Sequence, residues 1–388
     1  MTEHPLLLTP LRIRELELRN RIVISPMCTY SAEDGMMNDW HLAHLGQFAI
    51  GGAGLVFCEA SAVEERGRIT HGDVGIWKDE QIAPIKRVFD FVKAHGARTA
   101  IQIAHAGRKA SMQRPWFGSG PLDDTDRARG DLPWEIVGAS PIPVDEGWLL
   151  PRELASDEIP ALIEQWVAAA RRALATGADV LEIHGAHGYL LASFLSPISN
   201  RRRDRYGGDR AGRMRLPLEI SEAVRAVWPD DKPLFFRISA VDGAENGWNL
   251  DDSVVLAREL KALGVDVVDC SSGGISGAAT AAGVKRQPGY QVPYAERIRK
   301  DADLITQAVG LITHPLQAEE ILREQRADLI AIAREALNNP HWALHAAAAL
   351  GADPEFEDWP TQYGWWLVRR ERSSVYYQPP GDQAGAVE

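Results

Sequence analysis

The chain has 388 residues, 45% hydrophobic and 25% charged, with a formal net charge of −12. That is the make-up of a globular protein with a sizeable core, long enough for one large α/β domain or two ordinary ones. The acidic balance argues against a nucleic-acid partner, which needs clustered Lys and Arg, and no apolar run is long enough to span a membrane. Cys28, Cys58 and Cys270 are too few and too scattered for a disulfide framework or a zinc ribbon, so a reducing cytoplasm is the expected compartment. Residues 1–8 lack the pattern of a secretory signal.

Residues 21–25 read as a first short strand, ended by Pro26. Helical spacing follows at 39–50, with Leu42, Leu45 and Phe48 or Ala49 on one face, until the glycines at 51–54 stop it. A second strand is expected at 55–60, a helix at 79–94 and a third strand at 99–104. The interval 107–157 breaks the rhythm. It is rich in Pro, Gly and Trp and too long for a bare connector, so it predicts an elaborated lid holding Trp116, Phe117, Trp134 and Trp148. Asp157 then caps a helix to about Thr176, and 180–183 is a fourth strand. Helix 216–228 precedes strand 234–238. A helix begun by Asp251 or Asp252 precedes strand 267–270, and helix 294–300 precedes strand 305–309. Pro315 opens a helix to Arg323, strand 329–332 follows, and helix 342–350 closes the set. Eight short strands alternating with helices predict a (β/α)8 barrel. A doubly wound sheet is the competitor, but no strand leads into a G-x-G-x-x-G turn. The expected layout is one barrel domain over 1–350 and a C-terminal extension over 351–388, placed at a subunit interface.

Chemistry on such a barrel lies at the C-terminal strand ends. Those ends carry Ser25 to Tyr30, Glu59-Ala60-Ser61, Gln102, His184, His187, Tyr189, Arg237, Ser271 to Gly274, Gly310 and Ala333-Arg334. The two histidines and the tyrosine fall within six residues, 184–189. Such a pair can hold a carbonyl or phenolate oxygen while the phenol hands over a proton; a plain strand and turn with satisfied side chains is the alternative. There is no carboxylate cluster and no third ligand beside His-x-x-His, so no metal is expected. No strand-end lysine is placed for a Schiff base, which counts against an aldolase. Gln102 can donate and accept at once, as the N3/O2 edge of a flavin requires. Arg237 can put positive charge beside the N1–C2=O locus. Gly310 and the amides at Ala333-Arg334 follow strands seven and eight, the usual phosphate site. Each has a plain reading as well: Gln102 as an interior amide, Arg237 as the partner of Glu182 or Asp269, Cys28 as an inert small hydrophobe. Only together, on one face, do they favour a flavin.

Four stretches carry a resemblance. They are Ser25-Pro26-Met27-Cys28-Thr29-Tyr30, Gln102-Ile103-Ala104-His105-Ala106-Gly107-Arg108, His184-Gly185-Ala186-His187-Gly188-Tyr189, and Leu195-Ser196-Pro197 through Asn200, Arg203, Asp204 and Tyr206-Gly207-Gly208. Over about 6–366 the chain resembles the Old Yellow Enzyme family of FMN-dependent ene-reductases, in the bacterial branch that includes xenobiotic reductases. The resemblance implies that Ser25, Pro26, Met27 and Cys28 line FMN, with Cys28 near N5/O4 tuning its potential. It implies that Ala60, Gln102 and Arg237 hold the pyrimidine ring, and that Gly310, Ala333 and Arg334 hold the phosphate. His184 and His187 would grip the substrate carbonyl, Tyr189 would be the proton donor, and Tyr30 would position the substrate. NADPH or NADH would be the reductant, an enone-type small molecule the substrate, and a homodimer or homotetramer the assembly.

Three departures from the family pattern bear on this. Ala333 stands where Gly is frequent, which is tolerable if its backbone is not left-handed. Gly212 stands where Asn is common, with a local effect expected. Tyr363-Gly364-Trp365-Trp366 replaces a C-terminal arginine that some relatives send into a neighbour's site, so Trp365 or Trp366 is expected to wall the pocket of its own or a partner subunit, with a surface tryptophan packed at a dimer seam as the equal alternative. A flavin and iron–sulfur relative is the weaker alternative, because it needs a run of cysteine ligands past the barrel and no cysteine lies beyond Cys270.

Overall fold

The structure is a computed structural model and describes residues 4–277 and 283–373. Eight parallel strands close into a barrel. They are β1 (Ile22–Ile24), β2 (Leu55–Ala62), β3 (Arg98–Ala104), β4 (Val180–Gly185), β5 (Leu234–Ser239), β6 (Val267–Ser271), β7 (Ile305–Ala308) and β8 (Leu329–Ile332). Each pairs with the next in sequence, and β8 returns to β1. All eight fall within two residues of their predicted spans. The reason is physical: strands of a parallel barrel are covered on both faces, so they read as unbroken apolar runs. The outer layer holds α1 (Asp39–Ile50), α2 (Ile82–Ala94), α3 (Ile159–Ala175), α4 (Arg210–Arg225), α5 (Leu250–Ala262), α6 (Val292–Ala302), α7 (Pro315–Arg323) and α8 (Trp342–Ala349). In α2 the buried residues are Ile85, Val88, Phe89 and Val92, the spacing of a single helical face.

Several boundaries differ from expectation. Asp157 does not cap α3; Glu158 occupies that position, its carboxylate accepting from the Ala155 amide and pairing with Arg152. The N-cap of α5 is Asn249, whose side chain accepts from the amides of Asp251 and Asp252. α4 begins six residues before its predicted start, because Asp209 caps it and accepts from the Gly212 amide while the Arg-rich first turns carry no apolar period. A side chain on Gly212 would run into the Gly207 carbonyl, which confines the effect of that departure to this turn.

The hairpin Leu11–Ile13 and Leu16–Leu18 was not expected. It plugs the N-terminal end of the barrel, where Ile13 and Leu18 pack with Leu55, Phe57, Val180 and Phe235. Short helices at Leu190–Leu195 and Arg334–Asn338, and a longer one at Thr361–Arg372, were also missed.

At the other end the lid covers the barrel. It contains 3-10 turns at Gly107–Lys109 and Pro115–Phe117, a helix at Asp124–Ala128, and parallel strand fragments Val137–Gly138 and Arg152–Glu153. Arg202 clasps it from below, donating to the carbonyls of Ala139 (3.1 Å) and Leu154 (2.6 Å). Asn200 in turn donates to the carbonyls of Phe194 and Tyr206. The stretch after β4 thus works as a brace for the lid. Within the described residues no helix is long and apolar enough to cross a membrane.

Candidate active site

The C-terminal strand ends open into one cavity of about 760 Å³, within the range of small-molecule and cofactor sites. Its walls include Ser25, Pro26, Met27, Cys28, Tyr30, Ala60, Gln102, His184, His187, Tyr189, Arg237, Gly310, Ala333 and Arg334. The candidates from seven separate strand ends therefore meet at one place. Trp365 is the exception. It is half exposed on the C-terminal helix, edge-on to Trp366 with ring centroids 4.5 Å apart, and does not line the cavity of its own chain.

The floor of the cavity is a buried polar layer set by strand register. Gln102 lies opposite Glu182, His184 opposite Arg237, and Arg237 opposite Asp269. Gln102 Nε2 donates to Glu182 Oε1 at 2.7 Å, and Arg237 Nε lies 3.1 Å from Asp269 Oδ2. The plain readings of Gln102 and Arg237 thus hold alongside their place on the cavity wall. Two acids face one arginine here, and burial followed by the charge of Asp269 pushes the Glu182 carboxyl well up.

A register shift between Cys58 and Ala60 makes Glu59 the extra residue of a bulge in β2, the kind of irregularity that re-aims side chains beside active sites. Glu59 accepts from both the amide and the hydroxyl of Thr29, which ties β2 to the segment carrying Cys28 and Tyr30. Burial raises the Glu59 carboxyl to about 8. Burial, then Glu59 and Asp73, raises the Cys28 thiol as well, so it stays protonated at neutral pH.

The two imidazoles and the phenol stand nearly perpendicular to one another. Ring centroids are 5.1 Å apart for His184–His187 and for His184–Tyr189, and 6.3 Å for His187–Tyr189. His184 Nδ1 accepts from the Ala186 amide at 3.2 Å, so in the neutral ring the proton sits on Nε2. His187 takes the left-handed backbone, with φ +62. Its amide donates to Ser239 Oγ, and its Nε2 lies 2.7 Å from Ser271 Oγ. Burial first, then Arg237 and Lys109, holds His184 well below the ordinary imidazole value; His187 is lowered likewise, by burial, Arg237, His184 and Lys109. Both rings are neutral hydrogen-bonding groups. Burial, then the fields of Cys28 and Asp73, raises the Tyr189 phenol well above its usual value, so it keeps its proton.

Above the floor, the walls end at Gly310, Ala333 and Arg334, with Arg286 and Tyr290 also lining the cavity. Gly310 has φ +123, and a Cβ there would press on Gln291 and Tyr290. Ala333 has φ −128, so its methyl brings no left-handed strain. Sequence reasoning passed over Lys109, Arg286, Tyr290 and Gln291, and it noted Glu59 at a strand tip without giving it a role.

The chain matches the NADH:flavin oxidoreductase / NADH oxidase family over residues 6–352. It is 46% identical over 348 residues to an NADPH dehydrogenase of Geobacillus sp. (strain WCH70), covering 89% of this chain and 95% of that one. It is also 46% identical over 354 residues to an NADPH dehydrogenase of Listeria monocytogenes serotype 4a (strain HCC23), covering 91% and 96%. Among solved structures it is similar to morphinone reductase, with TM-score 0.74 and 26% identity over 89% of this chain and 90% of that one. It is similar too to a 2-naphthoyl-CoA reductase complex, with TM-score 0.78 and 25% identity over 90% of this chain, but it spans only 53% of that chain.

Proposed function

The chain belongs to the NADH:flavin oxidoreductase / NADH oxidase family and is an FMN-dependent oxidoreductase using a nicotinamide reductant, and from that premise we propose that it reduces the activated C=C bond of α,β-unsaturated carbonyl compounds. The observation that carries this reading is the trio His184, His187 and Tyr189, mutually perpendicular on the wall of a cavity large enough for a flavin and a small substrate.

The donor set suits FMN. Ser25 Oγ is buried without a partner among the described residues, Gln102 offers an amide edge, Arg237 brings positive charge, and Gly310 leaves a cradle that a side chain would fill. In this proposal Ser25, Pro26, Met27, Cys28 and Ala60 lie along the ring, Gln102 and Arg237 hold its polar edge, and Gly310, Ala333 and Arg334 take the phosphate. When bound, FMN supplies the hydride carrier between the nicotinamide and the β-carbon.

The remaining work falls to this chain's own side chains. His184 donates from Nε2 to the substrate oxygen. In this proposal the Ser271 hydroxyl, 2.7 Å from His187 Nε2, is the donor of that contact, which leaves the Nδ1–H of His187 as the second donor. Two fixed donors at that oxygen stabilise the enolate charge as it develops. Tyr189 gives its proton to the α-carbon, and its raised pKa keeps that proton in place until the enolate forms. Tyr30 and the lid close the substrate side. Reduction in the cytoplasm by a homodimer or homotetramer completes the proposal, supported by the exposed Tyr363, Trp365 and Trp366 and by three free cysteines.

Tyr189→Phe tests the proton step. The enone-dependent half-reaction should slow by about 10²- to 10⁴-fold, the usual contribution of a positioned acid, while reduction by NADPH changes little. Undiminished enone turnover would overturn the assignment.

A further inference from the structure

Lys109 lies in the 3-10 turn after β3 and is 1% exposed. A buried ammonium is costly unless paired, and such groups cluster at functional sites. Yet among the described residues no carboxylate pairs with it. Its Nζ instead donates to two backbone carbonyls, of His187 at 2.8 Å and of Gly274 at 2.6 Å. The same ammonium sits 5.7 Å from the Tyr189 ring centroid, within reach of its π face.

We propose that Lys109 is a positioning residue for the ene-reduction: its ammonium staples the β4 loop to the β6 loop, fixing His187 and Tyr189, and lends positive potential to the place where the substrate oxygen becomes negative. The inference rests on the function proposed above and extends it to a side chain outside the cavity wall.

The loop it fixes needs holding. His187 and Gly188 take consecutive left-handed conformations, with φ +62 and +74. Gly188 presses so closely on Gly274 that a Cβ would collide with the Gly274 carbonyl. Glycine takes that conformation freely, but His187 is strained by it and stays put only where its surroundings over-determine it. Lys109 contributes by bonding the carbonyl on each side of that contact. Arg108, next in the turn, adds a bond to the Ile275 carbonyl and others to the lid carbonyls of Ile142 and Pro143.

The charge has a second consequence. Its field reaches both imidazoles and helps keep them neutral. Burial and then Arg108 bring the Lys109 ammonium down to about 7, as expected for a cation with no acid beside it, so its positive potential is full below neutral pH and fades as pH rises through that value.

Two variants of the FMN-loaded enzyme separate the staple from the charge. Lys109→Met removes both, whereas Lys109→Gln keeps neutral N–H donors for the two carbonyls. The probes are 4-nitrophenolate, an anion, and cyclohexanone, a neutral ketone. The expected result for Lys109→Met is weaker binding of both, on the order of 10- to 100-fold, as for groups that orient ligating side chains. Reduction by NADPH should stay within about twofold of the native rate, well short of the loss expected for an orienting group. Lys109→Gln should regain affinity for the ketone but not for the phenolate.

Native affinity of Lys109→Met for both probes, or full recovery of both in Lys109→Gln, would overturn the proposal. Should Lys109→Met fail to retain FMN, the two affinities of Lys109→Gln decide alone. His184→Ala is assayed in parallel: if it too binds phenolate like the native enzyme, the oxygen-binding reading itself fails, and not merely the part given to Lys109.

Discussion

Replacing His184 with alanine deletes one of the two groups assigned to the substrate oxygen. The ring is buried, and its tautomer is set by the Ala186 amide, which donates to Nδ1 at 3.2 Å and leaves Nε2–H as the donor. A hydrogen bond to a charged acceptor contributes about 1.5–3 kcal/mol. The dissociation constant of a phenolate should therefore rise roughly 10- to 150-fold, since about 1.4 kcal/mol is a factor of ten. The barrier of the enone step should rise more, by about 2.7–4 kcal/mol, because the oxygen carries its largest charge there. The Ala186 amide also loses its acceptor, which costs about 1–3 kcal/mol of stability, so thermal unfolding is measured on the same sample. The assay is a phenolate titration followed in the flavin absorbance, with stopped-flow rates for each half-reaction. Phenolate affinity within twofold of native, with FMN retained, would refute the reasoning.

Glu59→Gln should stabilise the protein in a pH-dependent way. The native carboxyl is raised from 4.5 to about 8, so its contribution is fully present below pH 4.5 and is lost as pH climbs to 8. The stability gap between variant and native should widen over that window by at most about 1.4 kcal/mol per pH unit, then level off; urea titrations at three pH values check it. Gly188→Ala forces a side chain onto φ +74 and into the Gly274 carbonyl, so it should lose more than the roughly 1–2 kcal/mol of left-handed strain and loosen phenolate binding; a loss under about 0.5 kcal/mol contradicts this. Ending the chain after Pro360 removes Trp365 and Trp366, 50% and 65% exposed, and should lower the assembly size in light scattering. Unchanged size and unchanged substrate preference would remove them from both interface and pocket.

The barrel was legible because each strand is a short apolar run bounded by Gly, Pro or a polar tip, and strand order followed chain order. Ser25, Gln102, His184 and Arg237 were legible for the same reason: a polar residue at the end of a buried strand has only the barrel mouth to face. What stayed hidden depends on pairings distant in sequence. Lys109 sits in a run of two basic residues that reads as solvated lid, and only the fold brings it onto the carbonyl of His187, 78 residues away. Ser271 was visible at a strand tip, but its place against His187 Nε2, 84 residues back, was not. The bulge at Glu59 leaves no mark in an apolar strand, since a one-residue slip is a matter of register. The C-terminal helix was missed because its turns carry Trp365, Trp366, Arg369 and Arg370 with only Gly364 buried, so no apolar face repeats.

The most direct test of the account is the absorbance of the purified protein during an anaerobic titration. As isolated it should be yellow, bleach with NADPH, and recover its colour when cyclohexenone is added in the absence of oxygen. A colourless protein that takes up no FMN, or a bleached one that no enone recolours, would contradict it.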